Sequence, residues 1–431
     1  MATKILYSIV ILLLFIQCDS PKLNGAESNS QKKQELILIS KLDSLFDVHE
    51  LMDVSFHLFN NDSNLFSYVN GFRNWDSKSE LDINSNYRIA SISKLVTAVG
   101  ILVLLEEGLL ELDKDASHYL GWELRNPNHP ENVITLRHLM NHTSGLRDGS
   151  GYSEFLSQMV NEKSSLKDLF QENSRFYTAD MFSDEAPGVY FTYCNSAWGI
   201  IGSIIESVSQ MKFDDFMRER VFKPLNMEAD FNPTKLDLSQ LATLYRFDSI
   251  WIPQVDDYTN NLPTDRVWEG YKPGTNGLLF GPQGSLRCSA SDLIKLGQLF
   301  LNNGRLATSS KDSITFLKQS TLNFLSSEVW SYNGENGDTW SDFWQSYGLG
   351  LHLITGQKGK DEIFPGKTFQ GHAGIAYGLL SDLYWDANSN SGVVFITNGS
   401  KRHFSYGEKS AFYAVEEDFF DALEVYINSR N

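Results

Sequence analysis

A chain of 431 residues, 42% of them hydrophobic, is long enough to bury a large core, and we expect one compact unit with two lobes. Its 36 Lys and Arg residues against 54 Asp and Glu residues give a formal net charge of -18. Because phosphate backbones are bound through clustered cations, this balance argues against a nucleic-acid partner. Three cysteines are too few for a disulfide framework in a chain of this size.

The N-terminus has an apolar stretch, from Ile5 to Ile16, that ends at Gln17-Cys18. It is too short to cross a bilayer as a helix, which takes about 20 residues, but it suits a secretory signal. Residues 1–18 resemble a bacterial lipoprotein signal, which implies lipid attachment at Cys18, a membrane contact through that anchor, and a place in the periplasm or at the cell surface. An uncleaved anchor and a plain export signal are the alternatives. The polar residues 19–35 are predicted to form a flexible tether.

The remaining chain, 36–431, is predicted to form one α+β domain. Helical spacing begins at Leu36, and VSFHLFNNDSNLFSYVNGF reads as two strands joined by a polar turn. Residues 113–275 are dominated by helix-like segments and loops, which indicates an inserted, mainly helical lobe. After His372 the segments IAYGLLSDLYWD and VVFITNG read as strands, followed by an amphipathic helix. We therefore expect an antiparallel sheet, covered by the first and last helices, in an α/β lobe formed by 36–112 and 276–431.

One helix begins with unusual chemistry. In RIASISKLVTAVGILVLLEE (88–107), Ser91 and Lys94 precede an uncharged run whose apolar residues surround the helical axis, so the helix is predicted to be buried. Ser-x-x-Lys occurs four times in the chain, but only this copy opens a buried helix. Burial would lower the pKa of Lys94 and supply a neutral amine to activate Ser91 as a nucleophile. The alternative is that Ser91 only caps the helix while Lys94 extends to water.

Two later motifs follow Ser91 in order, Tyr193-Cys194-Asn195 and His372-Ala373-Gly374. Together with segments such as TLRHLMNHTSGL and GSLRCSASDLIKLGQLFLNNG, they resemble the serine beta-lactamase and penicillin-binding protein superfamily. The resemblance is to the branch of class C beta-lactamases and D-alanyl-D-alanine carboxypeptidases. It implies a beta-lactamase/transpeptidase-like fold and a serine hydrolase domain.

The resemblance also implies roles for particular residues. Ser91 would attack a carbonyl and become acylated, with Lys94 and Tyr193 sharing its proton, and Asn195 would orient Lys94 or a substrate amide. Either Lys94 or Tyr193 could be the general base, and a Tyr193 phenolate would require a nearby cation. No cofactor is expected. The oxyanion and substrate side of the site is assigned to His372, Gly374 and Ile375.

In that assignment, Ser91 and Ile375 would present backbone N–H groups to the oxyanion, and Gly374 would let the strand approach the substrate. His372-Ala373 replaces the Lys-Thr-Gly of beta-lactamases, so an anionic substrate would be held less firmly. We therefore rank cleavage of a small-molecule or peptide ester or amide above beta-lactam hydrolysis. A non-catalytic penicillin-binding or sensor protein of the same fold is the alternative function.

Two other patterns are interpreted as structural. His138 and His142 are four residues apart, as in a zinc helix, but HLMNH lacks the glutamate of H-E-x-x-H, so no metal site is predicted. Cys194 with His372 is a conceivable thiol pair. We favour Cys194 as the variable middle residue of the Tyr-x-Asn motif.

Overall fold

The structure, a computed structural model, describes residues 25–307 and 312–430. The predicted signal peptide, its Cys18 and the first part of the predicted tether lie outside these residues. Within them, no helix combines the length and apolar character that crossing a membrane requires.

Along the chain, runs of strands are separated by runs of helices. The helices are α1 (Gly25–Val48), α2 (Ile92–Glu106), α3 (Ala116–Leu120), α4 (Leu136–Met140), α5 (Ser150–Gln158), α6 (Lys167–Phe170), α7 (Ser196–Ser209), α8 (Phe213–Met217), α9 (Ala290–Leu301), α10 (Gln319–Ser326) and α11 (Ala414–Arg430). The strands are β1 (Asp53–Asn60), β2 (Asn64–Asn74), β3 (Ser79–Glu80), β4 (Tyr87–Arg88), β5 (Tyr245–Asp248), β6 (Ile250–Pro253), β7 (Arg287–Cys288), β8 (Arg305–Ala307), β9 (Ser313–Thr315), β10 (Trp330–Ser331), β11 (Ser346–Tyr347), β12 (His352–Ile354), β13 (Phe369–Ala376), β14 (Leu379–Asp386) and β15 (Ser391–Thr397).

The central sheet is antiparallel and joins the two ends of the chain, as predicted. Its strand order is β10-β11-β12-β13-β14-β15-β1-β2-β3, and β15 pairs with β1 so that Phe395 lies opposite Phe56. The α1 residues Leu38, Leu42 and Leu45 repeat at helical spacing and are buried with Phe56 and Phe395 in one hydrophobic cluster, which also contains residues of α11. The first and last helices therefore cover one face of the sheet, and the predicted α+β fold class is confirmed.

Two local predictions were wrong. Helix α1 begins at Gly25, so residues 25–35 of the predicted tether are helical. This segment contains Gln31, Lys32, Lys33 and Gln34, which are good helix formers and extend the helix that the apolar stripe anchors to the sheet.

The second difference concerns the strands after His372. The predicted single strand IAYGLLSDLYWD is divided between β13 and β14 by a turn at Tyr377 and Gly378, whose φ values are 54° and 106°. Two successive residues with positive φ match the right-handed twist of a hairpin. Ile375 therefore lies on the same strand as His372, rather than on the strand that follows.

Helix α2 is the buried centre of the molecule, as predicted. Every residue from Ile92 to Leu104 is buried, and α2 packs against α7 and β13. Residues 113–275 contain helices α3 to α8, and they also contain a hairpin of β5 and β6 that the sequence pattern did not predict. The first turn of α2 thus lies where the helical segment meets the sheet.

Candidate active site

Ser91 directly precedes α2 on a constrained piece of backbone. Its neighbour Ala90 has φ of 44°, in the left-handed region that non-glycine residues rarely adopt. The preceding Ile89 is held on both sides: its N–H donates to the Leu286 carbonyl at 3.0 Å, and its carbonyl accepts from Ser381 Oγ at 3.0 Å. The Ser91 side chain forms no helix-capping hydrogen bond, so its hydroxyl is available for another role.

Lys94 is fully buried and lies against Ser91. Its Nζ is 3.1 Å from Ser91 Oγ, 2.8 Å from Asn195 Oδ1 and 2.7 Å from the carbonyl oxygen of Gln283. The alternative in which Lys94 extends to water is therefore wrong, because its side chain has 0% exposure.

Burial also changes the protonation of Lys94. Loss of solvation lowers its pKa from 10.5 to about 7, and the charge of Asp148 opposes the change. A neutral amine has two hydrogens and one lone pair. Asn195 Oδ1 and the Gln283 carbonyl can only accept, so they take the two hydrogens and the lone pair faces the Ser91 hydroxyl. This arrangement suits Lys94 to remove the Ser91 proton.

Tyr193 lies beside the same pair. Lys94 Nζ is 4.7 Å from the centre of the Tyr193 ring, and the Tyr193 hydroxyl is buried without a well-formed hydrogen bond in the described structure. Burial raises the pKa of Tyr193, and the adjacent Ser91 hydroxyl only partly offsets that increase. The phenol is therefore neutral at physiological pH, which disfavours a phenolate base.

Asn195 is oriented by a residue that sequence reasoning missed. Asp148 Oδ2 accepts from the Asn195 backbone N–H at 2.8 Å and from Asn195 Nδ2 at 2.9 Å, while Asp148 Oδ1 accepts from the Ser196 N–H at 2.8 Å. The carboxylate thus occupies the N-terminus of α7, where anions are favoured, and fixes the amide so that its oxygen faces Lys94. Asp148 and Asn195 are 47 positions apart, and no local pattern connects them.

His142 is a second missed residue. It has φ of 60°, and its Nδ1 accepts from the Cys194 backbone N–H at 3.0 Å. Its ring stacks on Tyr193, with the ring centres 4.3 Å apart. Burial and the nearby Lys94 lower the pKa of His142 well below its usual value, so the ring is neutral. Its position within TLRHLMNHTSGL, one of the family-like segments, was the available signal.

The contacts of Cys194 agree with its interpretation as the middle residue of the Tyr-x-Asn motif. No group of three or more His, Cys, Asp or Glu side chains suited to a metal ion occurs among the residues that the structure describes. Burial raises the pKa of the Cys194 thiol well above its usual value, so it stays protonated. Its sulfur contacts Ser196 Oγ at 3.2 Å and Asp148 at 3.6 Å, and no hydrogen bond to His372 is formed.

His372 occupies a different place from the one expected of a substrate-binding group. It is fully buried, its Nδ1–H donates to the Ala373 carbonyl at 2.6 Å, and its Nε2 accepts from the Tyr347 hydroxyl at 3.0 Å. Burial and the nearby Lys94 lower its pKa to about 3. Its ring packs near Tyr193, and the wall of the cleft at this point is formed by Ala373 and Ile375. The imidazole is therefore a neutral support for the site.

Gly374 is explained by a close approach within the protein. A Cβ there would lie 2.4 Å from Ser381 Oγ, 2.5 Å from the Ile89 carbonyl oxygen and 3.1 Å from Ala90 Cβ. Glycine thus allows β13 to lie against the segment that carries Ser91. The glycine therefore serves the approach of two chain segments, whereas the sequence interpretation assigned it to the substrate.

The edge of β13 is open next to Ser91. In the described structure, β12 pairs only with residues 369–371, so the edge of β13 beyond Gly371 is left unpaired.

Ser91 opens into a cleft of about 440 Å³ that is largely apolar. The residues lining it are Ser91, Thr192, Tyr193, Asn195, Asp338, Trp340, Phe343, Trp344, Ala373 and Ile375. Trp344 stacks on Tyr193 at 5.1 Å, and Trp340 is 47% exposed. Trp340 also begins a run of three residues, 340–342, with positive φ, and such strained segments are typical of functional sites. The cleft thus combines the Ser91 hydroxyl with an aromatic wall.

This chain is similar to several known proteins. The Beta-lactamase family model matches residues 47–416. The chain is 28% identical to Penicillin-binding protein 4* of Bacillus subtilis (strain 168) over 258 residues, 58% of this chain but only about half (52%) of that relative. Similar solved structures include EstCE1, a hydrolase with promiscuous acyltransferase activity, with a TM-score of 0.64 and 18% identity (92% of this chain, 99% of that one).

A second structure, D-amino acid amidase from Ochrobactrum anthropi SV3, has a TM-score of 0.62 and 20% identity and covers 93% of this chain and 100% of that one. At these identities the structural neighbours establish the fold. The family model covers most of the chain, including Ser91, Tyr193 and His372. The chain therefore belongs to the beta-lactamase family, a family of serine hydrolases.

Proposed function

We propose that this protein cleaves a small-molecule or peptide ester or amide through an acyl-enzyme on Ser91. The observation that carries the proposal is the set of three contacts at Lys94 Nζ, two to groups that only accept and one to the Ser91 hydroxyl. A buried amine with a pKa of about 7 in this position is a general base matched to neutral pH.

The proposed reaction has two stages. Lys94 accepts the Ser91 proton while Oγ adds to the substrate carbonyl, and the backbone N–H groups of Ser91 and Ile375 hold the resulting oxyanion, each contributing about 3–4 kcal/mol. The carbonyl re-forms as the leaving group departs with the proton from Lys94, relayed through the neutral Tyr193 hydroxyl. A water molecule then adds to the acyl-enzyme while Lys94 takes one of its protons. The bond between the carbonyl carbon and Ser91 Oγ breaks, Lys94 returns that proton to Oγ, and the carboxylic acid is released. Asn195, held by Asp148, keeps the Lys94 lone pair directed at the reacting oxygen throughout.

The cleft into which Ser91 opens is called the reaction cleft below. Its lining supports a substrate that is neutral and partly apolar near the cleaved bond. Asp338 is the charged side chain of this lining, and it would repel a carboxylate. The buried, neutral His372 supplies no cation. An ester or amide next to an aromatic or aliphatic group therefore fits better than a beta-lactam, which carries a carboxylate. The hydrolase and amidase named among the structural neighbours are consistent with this preference.

An active-site probe tests the assignment of Ser91. A fluorophosphonate or a penicillin should add its mass to the wild-type protein and not to Ser91→Ala, and equal labelling of both would refute the proposal. Turnover of p-nitrophenyl esters, D-amino-acid amides and nitrocefin then separates an enzyme from the sensor alternative. A sensor would be acylated once without releasing product, whereas we expect multiple turnovers of esters or amides and little of nitrocefin.

We also propose export with a lipid attached at Cys18, on the basis of the N-terminal sequence alone. Expression in a bacterial host with labelled palmitate tests this directly. The label should enter the wild-type protein and be lost in Cys18→Ala. Equal incorporation, or none in the wild type, would contradict lipid attachment.

A further inference from the structure

A second, larger cleft adjoins the reaction cleft. It has a volume of about 900 Å³ and shares Ile375 with the cleft that contains Ser91. From Ile375 its wall continues along Tyr377 and Gly378 to Arg246 and to a Lys-Arg-His run at 401–403. Ile375 and Tyr377 are 39% and 46% exposed, so an apolar strip connects the two clefts.

The second cleft is cationic, although the chain as a whole has a net charge of -18. Arg246, Lys401 and Arg402 line it together with His403, and Asp248 is the acidic side chain in this lining. Arg402 forms an ion pair with Glu50 at 2.7 Å. Neither Arg246 nor Lys401 forms an ion pair within the described part of the chain, which leaves two cations able to bind a ligand.

Packing holds both cations at the edge of the reaction site. A Cβ at Gly378 would lie 2.4 Å from the Tyr245 carbonyl oxygen and 3.3 Å from Arg246 Cγ, so the hairpin that carries Arg246 rests directly on the turn that ends β13. On the other side, the Lys401 N–H donates to the Glu50 carbonyl at 3.0 Å, and Ser400 Oγ donates to the His49 carbonyl at 2.6 Å. Lys401 Nζ also lies 5.9 Å from the Phe247 ring.

We infer that the second cleft binds an anionic group, such as a carboxylate, at the far end of the substrate. The cleaved bond would sit at Ser91, an apolar segment would cross Ile375 and Tyr377, and the anion would reach Arg246 and Lys401. The inference rests on the proposed acyl-enzyme chemistry at Ser91 and specifies its substrate class. It also reconciles the largely apolar lining beside the cleaved bond with a basic surface further along, because the anion would bind away from the reacting carbonyl.

Matched pairs of substrates test the inference. In one series, p-nitrophenyl half-esters of dicarboxylic acids of increasing length are compared with their methyl esters, which places the anion on the acyl part. In the other, acetate esters of a carboxyphenol and of the corresponding carboxamide place it on the leaving group. The measured quantity is the ratio of kcat/KM for the anionic substrate to that for its neutral partner. The series that shows the preference identifies the part of the substrate that enters the second cleft.

We expect the wild type to prefer the anionic member of one series. The Arg246→Ala/Lys401→Ala double variant should lower that ratio about three- to tenfold, as expected for two solvent-exposed charge interactions. Raising the salt concentration from about 20 mM to about 500 mM should weaken the wild-type preference because screening acts on exposed charges. Lys358→Ala is the matched control: Lys358 is exposed and lies in neither cleft, so the ratio should stay unchanged.

Two outcomes would overturn the inference: no anionic preference in either series, or a preference that the double variant retains in full. Arg246→Glu provides a second measurement, because it should shift the preference toward an ester with a trimethylammonium group. A failure of the proposed function can be distinguished from a failure of this inference. If the neutral esters are not hydrolysed, or are hydrolysed equally by Ser91→Ala, the chemistry at Ser91 is wrong whatever the charge preference.

Discussion

Replacing Lys94 by methionine tests the central claim that this buried amine is neutral near pH 7. In the unfolded chain Lys94 keeps its ordinary pKa of 10.5, whereas in the folded protein the pKa is about 7. Between these values unfolding takes up a proton, so the free energy of unfolding of the wild type rises with pH across this window. Below about pH 7 both states carry the charge and the contribution is constant.

The magnitude follows from the difference between the two pKa values. At about pH 7 the ionisation of Lys94 destabilises the fold by about 4 kcal/mol, and at about pH 9.5 by only about 1 kcal/mol. Methionine removes this term but leaves Asn195 Oδ1 and the Gln283 carbonyl without a donor, at about 1–3 kcal/mol each, and that loss is the same at both pH values. The stability of Lys94→Met relative to wild type should therefore fall by about 3 kcal/mol between about pH 7 and about pH 9.5.

Urea denaturation of both proteins at the two pH values measures this difference. Lys358→Met, an exposed substitution, is the control and should show no such pH dependence. Lys94→Met should also lose labelling by the active-site probe. A relative stability that changes by less than about 0.5 kcal/mol between the two pH values would show that Lys94 does not titrate in this window, and the assignment of Lys94 as base would fail.

Three further substitutions have defined outcomes. Asp148→Ala should lower kcat for p-nitrophenyl esters about 10- to 100-fold with little change in KM, because Asn195 loses its support while the cleft is unaltered; a KM effect alone would contradict this. Gly374→Ala should lower stability by about 2–3 kcal/mol in thermal unfolding, because the added Cβ would lie 2.4 Å from the nearest atom. Gly284→Ala is the control: its added Cβ would lie 3.8 Å from the nearest atom, so its stability should stay close to that of the wild type. Burial raises the pKa of Glu416 from 4.5 to about 7, so this carboxyl destabilises the fold increasingly as pH rises through that range. Between about pH 5 and about pH 8, Glu416→Gln should therefore gain thermal stability relative to wild type, while the pH dependence contributed by the buried Asp382 beside it remains; a relative stability that does not change with pH would refute this.

The first turn of α2 was predictable because its chemistry depends on local spacing. Ser91 and Lys94 are three residues apart and share a helix face, and the apolar run after Lys94 predicts burial, which lowers the pKa of the amine. Similarly, the alternating strands at both ends of the chain predicted an antiparallel sheet. The two ends lie side by side in β15 and β1, although the pattern of each strand identifies only its own type.

The side-chain orientations in the third motif, His372-Ala373-Gly374, were harder to predict. The motif was recognised, but its sequence carries no information on how deeply β13 is covered. In the structure, Ala373 and Ile375 line the cleft, while the side chain of the preceding residue, His372, is buried against Tyr347. Which side of a strand meets the substrate depends on what packs over each side, and those residues come from distant segments.

By itself, the sequence predicted Ser91 as the candidate nucleophile, the buried amine, the order of the three motifs and the family they imply. Only the tertiary structure decided that Asp148 holds Asn195, that the Gln283 carbonyl fixes the Lys94 hydrogens, and that a cationic cleft adjoins the reaction cleft. The reason is physical. A helical pair three residues apart is placed by backbone geometry alone, whereas contacts between groups tens to hundreds of positions apart exist only after the sheet and the helical segment have packed together.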